Sequence, residues 1–440
     1  MSVERQVGWW EAMSVYLTRR QIIILVMGFA SGLPLLLTLS TLSYWLSKVG
    51  VDKTTIGLFT LVGIPYTLKF AWSPIIDHLR LPLIGRIGRR KSWLFLCQAG
   101  LVAVIFLMGR TDPTIDPEFT AILAILVAFF SASQDIVIDA YRIEILRDDE
   151  QGAGAGTTQV GYRIGMLLAG AGVTAMSDFI DWPTIFAILA IAAALCAAFT
   201  LFVPEPQRRG VETAKRKSYA DWLNQAAVRP FADFMGRRGW IVILLFILFY
   251  KYGDAFGGAM ANPFYVELGF TGTEIAAISK LYGVIATLVG GVLGGLIVAR
   301  YGLFRTLLVG GVLQAVTNLL FSYLAMMGND LLWLGVAITA DNLAGGVAAA
   351  ALVAYLSGLC NVAFTATQYA LFSSFMAQGR TILSSGSGWF ADHLDWVTFW
   401  ALTTVMAIPG LLLLFWIAKL YPQGMTAKPP TAAGAAVLPT

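Results

Sequence analysis

Ten ionisable residues sit deep inside stretches that are otherwise apolar: Lys69, Asp135, Asp139, Arg142, Arg163, Lys251, Asp254, Lys280, Asp341 and Arg380. A charge at the centre of a lipid-embedded helix costs at least ~2.5 kcal/mol even on the most lenient insertion scale. So many are sustained only if they face water or pair with one another. Six are basic and four acidic, and a surplus of cations suits an anionic or zwitterionic ligand. Ser131, Asp135, Asp139 and Arg142 recur at i, i+4, i+8 and i+11, so they share one helical face. Gln134 beside them has a donor and an acceptor for an amide or a hydroxyl, or for a neighbouring helix. Lys251 and Asp254 are one turn apart. Either protonation of Asp254 releases Lys251, or the two form a permanent ion pair. Asp254 is the first candidate for a proton-coupling carboxylate, with Asp135 next and Asp139 on the same face. Arg163 and Arg380 could grip carboxylates bidentately or brace helices. Lys69, Tyr66 and Tyr250 complete the candidate binding set. Asn342 either meets a ligand or links helices, and the link is favoured. Lys280 has the length to snorkel.

These side chains need elements to hold them, and the composition says which. Hydrophobic residues make up 58% of the 440 and charged residues 13%, about half the charged share of a soluble domain. Mean hydropathy is +0.73. The chain reads as an integral membrane protein, without a cleavable leader. A window of ~20 apolar residues gives twelve spans: 21–47, 54–76, 92–109, 119–144, 157–176, 183–203, 239–265, 272–297, 306–327, 331–358, 364–388 and 396–418. Of 30 Lys and Arg, 21 fall in the segments on the side of the N-terminus and 3 in the opposite loops. The positive-inside rule then places both termini in the cytoplasm. Residues 204–238 are basic, then amphipathic, and read as a cytoplasmic linker with an interfacial helix. Residues 421–440 are Pro/Ala-rich and read as a disordered tail.

The chain also repeats itself. Asp178-Phe179-Ile180-Asp181-Trp182-Pro183-Thr184 returns as Asp392-His393-Leu394-Asp395-Trp396-Val397-Thr398. Ala140-Tyr141 returns as Ala354-Tyr355, and Gly50, Thr54 and Ile56 return as Gly269, Thr273 and Ile275. The expectation is an all-α membrane protein of twelve helices in two pseudo-symmetric six-helix bundles, 1–203 and 239–420. Such parallel repeats place a substrate site near the bilayer midplane.

Asp77, followed by Gly88-Arg89-Arg90-Lys91, resembles the signature of the major facilitator superfamily, with wider spacing than usual. In the second half Gly295 and Arg300-Tyr301-Gly302 keep part of it, and Ala299 stands in place of the acid. With Arg142 and Glu144, the residues Asp77, Arg89 and Arg90 resemble that superfamily's cytoplasmic gate. A narrower likeness rests on Ser31-Gly32-Leu33-Pro34, Gly63-Ile64-Pro65-Tyr66-Thr67-Leu68-Lys69-Phe70, Trp72-Ser73-Pro74, Ser133-Gln134-Asp135, Gly161-Tyr162-Arg163, Tyr250-Lys251 with Gly253-Asp254, and Phe364-Thr365-Ala366-Thr367-Gln368-Tyr369. Together these resemble the AmpG muropeptide permeases of Gram-negative bacteria. The resemblance implies proton-coupled import of anhydro-muropeptides across the inner membrane for cell-wall recycling, by a carrier expected to act as a monomer. The alternative is an exporter or exchanger of another amphipathic anion, of drug or acyl-CoA type.

Other classes lack their residues. No phosphate loop, catalytic triad or metal-ligand cluster is present, so no enzyme activity, cofactor or nucleic-acid partner is expected. His78 and His393 are isolated. Cys97, Cys196 and Cys360 lie in apolar runs and suggest no redox framework.

Overall fold

The computed structural model describes residues 18–82, 84–147, 151–206, 232, 234–237, 239–359 and 365–421. The interfacial helix expected in the linker and the expected tail lie outside these residues, the linker's ends excepted. Helices account for all regular structure among them. In chain order they are α1 (Arg19–Leu37), α2 (Ser40–Lys48), α3 (Lys53–Leu58), α4 (Ile64–Leu68), α5 (Ser73–His78), α6 (Arg89–Met108), α7 (Pro117–Ile145), α8 (Gln151–Leu167), α9 (Val173–Met176) and α10 (Trp182–Phe202). There follow α11 (Trp240–Phe249), α12 (Tyr252–Glu267), α13 (Gly272–Ile275), α14 (Gly283–Tyr301), α15 (Leu303–Met327), α16 (Leu331–Leu359), α17 (Thr365–Ser384), α18 (Ser387–His393) and α19 (Trp396–Leu420).

Nine stretches among the described residues are long and apolar enough to cross a membrane, including Leu331–Leu356 with a mean hydropathy of 1.6. The other expected spans, 54–76, 157–176 and 364–388, fall short for local reasons. The first is broken into α3, α4 and α5 by tight 3₁₀ turns at Phe59–Gly63 and Lys69–Ala71. The second carries Thr157, Thr158, Gln159 and Arg163 among glycines, which lowers its hydropathy, and it passes through a wide π turn at Leu168–Gly172. The third carries Gln, Ser and Arg where lipid would want Leu.

The described chain divides into two compact units. One holds the described residues within 1–51, 61–213 and 271–276, the other those within 52–60, 214–270 and 277–440. Each unit therefore takes the first turn of one span from the other repeat. The repeated motif explains how. Its second aspartate, Asp181 or Asp395, caps the following helix by accepting from the backbone of Thr184 or Thr398 at 3.2 and 2.9 Å. Its first aspartate reaches a different helix start. Asp178 accepts from Gly272 N at 2.9 Å and from Thr273 N and Oγ1 at 2.7 Å. Asp392 accepts from Thr54 N at 2.7 Å and from Thr54 Oγ1 at 2.5 Å. Repeat-equivalent acids thus hold repeat-equivalent threonines, crosswise. Gly50 and Gly269, at φ 88° and 87°, make the preceding turns in a region that favours glycine. Around the Asp392 clasp, Lys53 pairs with Glu267 at 3.1 Å, and Glu267 also accepts from Trp396 Nε1 at 2.6 Å.

Burial alone would push the Asp178 carboxyl up, but the bonds from Thr273 and Gly272 outweigh it and hold it below the usual carboxylate range. A depressed folded value means the clasp is fully formed above the unfolded value of ~3.9 and is lost as pH falls through the folded one. Asp178→Asn should therefore leave the shape of a transport pH profile between pH 5.5 and 8 unchanged. A profile that flattens in this variant would contradict the assignment. Asp392→Ala removes the equivalent bonds at Thr54 and should cost about 1 kcal/mol, as loss of a helix cap does, read as a lowered melting temperature in detergent.

Candidate functional site

In the first unit, α1 and α8 approach closely enough to place polar groups side by side. Gly28 and Gly32 lie on the carbonyls of Thr158 and Tyr162, while Gly161 and Gly165 lie on those of Leu25 and Phe29. A Cβ at any of the four would overlap backbone. This small-xxx-small arrangement brings Tyr162 and Arg163 beside the Ser31–Pro34 turn.

Pro34 has no N–H to give Ala30, its partner four residues back. The freed Ala30 carbonyl accepts instead from Gln134 Nε2 at 2.8 Å. Gln134 is 1% exposed and through this bond joins α7 to α1, the helix link its type allowed, while its Oε1 has no hydrogen-bond partner. Gln134→Leu should cost about 1–3 kcal/mol, the penalty for an orphaned buried carbonyl, read as a lower melting temperature. One residue on, Asp135 accepts from Ser31 Oγ at 2.5 Å. Lys69, from the 3₁₀ turn, is the cation acting on it. Trp72 Nε1 donates to Ser133 Oγ at 3.0 Å, which fixes the broken helix against α7. The hydroxyls of Tyr66 and Thr38 are 3.3 Å apart, at the break between α1 and α2. Arg163 is exposed.

In the second unit the span expected as one helix from 239 to 265 is broken at Tyr250 and Lys251, between α11 and α12. Neither residue is Pro or Gly. Tyr250 Oη donates to the Leu307 carbonyl at 2.8 Å, and Gly253 lies on the Thr403 carbonyl, so packing on both flanks holds the break. Tyr250, 4% exposed, packs its ring and hydroxyl into this contact. Lys251 stands at the start of α12, and Asp254 is in the first turn, 3.6 Å from its Nζ. The pair was expected within a continuous helix. It sits instead at a half-helix N-terminus, where the backbone N–H groups also favour negative charge. Asn342 makes the link favoured from sequence, with Nδ2 donating to Ile338 O at 2.9 Å and Oδ1 accepting from Thr287 at 2.7 Å. Lys280 Nζ donates to Asn262 Oδ1 at 3.0 Å, so it points to a partner and does not snorkel. Arg380 is exposed.

The basic turn before α6 forms a third cluster. Arg90, 5% exposed, meets Glu144 at 2.7 Å, and Arg89 meets the same carboxylate at 3.0 Å. Arg142 turns away to Asp139 at 3.7 Å, an open pair in which Asp139 keeps 61% side-chain exposure. Glu144 thus serves both Arg89 and Arg90, while Arg142 meets Asp139 on its own helix. Asp139 keeps the helical face it shares with Ser131, because α7 is continuous, and its side chain is exposed there. The Asp77 side chain lies outside the described residues. Glu205, unnoticed in the sequence, accepts from Arg90 N at 2.9 Å and Lys91 N at 3.1 Å, capping α6. Among the described residues no group of three His, Cys, Asp or Glu could hold a metal.

Polar clusters at broken helices, carried by two sequence repeats of a membrane protein, define a secondary transporter. The Major Facilitator Superfamily profile matches residues 22–256. The anhydromuropeptide permease of Escherichia coli K12 is 40% identical over 397 residues, 90% of this chain and 79% of that one. Putative transporter AmpG 4 of Rickettsia felis is 38% identical over 398 residues, 90% of this chain and 96% of that one. Among solved structures, the nucleoside transporter NupG matches with a TM-score of 0.68 at 17% identity, covering 92% of this chain and 99% of that one. A D-xylose–proton symporter matches with 0.65 at 14% identity, covering 92% and 99%. At these identities the solved structures speak for the fold. The chain belongs to the major facilitator superfamily and, within it, to the family of the AmpG permeases.

Proposed function

We propose that the protein imports anhydro-muropeptides from periplasm to cytoplasm, driven by protons, in the inner membrane of a Gram-negative bacterium, with both termini cytoplasmic. The observation that carries this reading is the 40% identity to a permease of that name over 90% of the chain. Twelve spans in two halves, 1–203 and 239–420, provide the alternating-access frame. Within it, Arg163, Arg380, Lys69 and Lys251 are the cations for the peptide carboxylates, and Tyr66 is a face for a sugar ring. Asp254 and Asp135 are the carboxylates within reach of Lys251 and Lys69, the arrangement in which protonation of the acid frees its cation for a substrate carboxylate. The Glu144 cluster closes the cytoplasmic end, and the carrier works as a monomer.

Recognition led by the disaccharide and assisted by cations makes a measurable demand. In a binding assay with labelled anhydro-muropeptide on the purified carrier, the sugar-free stem peptide should compete at least tenfold more weakly than the intact ligand. Equal competition by the peptide alone refutes the substrate assignment.

A further inference from the structure

The bond from Gln134 to Ala30 leaves the other end of a buried amide to account for. Nε2 is fixed toward α1, because the flipped amide would set Oε1 against the Ala30 carbonyl, acceptor against acceptor. Oε1 is therefore the end turned away, and it accepts from no group of the protein. A carbonyl oxygen sealed in the interior without a donor is costly. Native interiors satisfy nearly all such groups, with protein or with ordered water.

The Gln134 side chain lines a cavity of about 10 Å³ where α1, α6, α7 and α10 converge. Ala30 and Pro34 bound it from α1, Gln98 from α6, and Ala193 and Cys196 from α10. Every side chain around it is buried. The volume suits one water and nothing larger, and a cavity with polar walls takes water where an apolar one stays dry. Gln98, 2% exposed, is the second amide on this cavity. From α10, the Thr200 hydroxyl meets Gln98 Oε1 at 2.7 Å and the Cys196 carbonyl at 3.0 Å. That hydroxyl has a single hydrogen. Given to Gln98, it leaves Gln98 Nε2 as a donor. Given to Cys196, it makes Gln98 donate to Thr200 and leaves Gln98 Oε1 as an acceptor. One end of Gln98 is thus left over in either case. Gln134 Oε1 requires a donor. A water, with two hydrogens to give and two lone pairs, serves Gln134 together with either state of Gln98. The Cys196 thiol adds a weak third partner.

We propose that this cavity is a binding site for one structural water, which donates to Gln134 Oε1 and bonds the Gln98 amide. The water completes a hydrogen-bonded thread, Ala30–Gln134–water–Gln98–Thr200, that crosses all four helices. On α7 the thread holds the residue between Ser133, bonded to Trp72, and Asp135, bonded to Ser31. It therefore fixes the rotation of the turn that presents both. The site depends on neither the transported substrate nor the coupling ion, so it stands or falls separately from the proposed activity.

The direct test is a structure of the full-length protein at a resolution where buried waters appear as separate peaks. A peak about 2.6–3.2 Å from Gln134 Oε1 is the expected result. No density there, in a map that shows other buried waters, overturns the proposal. Thermal unfolding in detergent gives an independent test with Gln98→Met, Gln134→Met and the double variant, which keep side-chain volume nearly constant. In the unmodified background Gln98→Met removes a partner of the water as well as the bond to Thr200. In the Gln134→Met background the acceptor that holds the water is already gone. The fall in melting temperature caused by Gln98→Met should then be smaller by about 1 °C or more. Equal falls in the two backgrounds overturn the bridge between the two amides.

Discussion

Gly161→Leu should leave almost no folded carrier. Its Cβ would overlap the Leu25 carbonyl, with the Phe29 amide at 2.9 Å behind it. The obstacle is backbone on a neighbouring helix, which cannot rotate aside as a side chain can. Overpacking costs about 1–3 kcal/mol when side chains yield, and here the α1–α8 contact itself must open. That contact positions Ser31 and Tyr162 near Asp135, so binding should fail with the fold. The measurement is the yield of monodisperse protein in mild detergent, with Gly335→Ala as the control because a Cβ there meets nothing within 4 Å. A monodisperse, stable Gly161→Leu would show that the two helices are not held by their glycines.

Glu144→Ala has the second-largest expected effect. The Glu144 carboxylate takes Nε and Nη2 of Arg90 and Nη2 of Arg89. Arg90 is almost fully buried, so its loss of this partner resembles the breaking of a buried ion pair, which costs about 3–5 kcal/mol. Glu144 retains 19% side-chain exposure, which places the expected cost at the lower end, about 3 kcal/mol. Glu144→Gln keeps one acceptor and should lose less. Thermal unfolding followed in detergent should rank the variants Ala, then Gln, then unmodified protein. Equal melting temperatures for all three would mean that the arginines find other partners at no cost.

The repeat was legible in the sequence because its residues cap helices, and capping acids sit at fixed offsets from their helices. What the sequence could not convey is that Asp178 and Asp392 each reach across to the other repeat's threonine. Nothing in linear spacing distinguishes a local cap from a distant one. Glu205 escaped for the same reason, since its carboxylate serves the start of α6 more than a hundred residues earlier in the chain. The break at Tyr250 and Lys251 carries no proline and is set by packing on Leu307 and Thr403. Gln134 was open to two readings. The signal for the helix link, Pro34 four residues after Ala30, was present but becomes readable only once α7 is seen beside α1. The buried charges were all visible by type. Their pairing was visible only where partners lay on one helix, as with Lys251 and Asp254.

The most direct test of the proposed activity is uptake of labelled anhydro-muropeptide by proteoliposomes under an imposed proton gradient, acidic outside. Accumulation above the external concentration, abolished by a protonophore and absent from protein-free vesicles, is the expected result. Uptake that only equilibrates, and is indifferent to the gradient, would contradict proton-driven import.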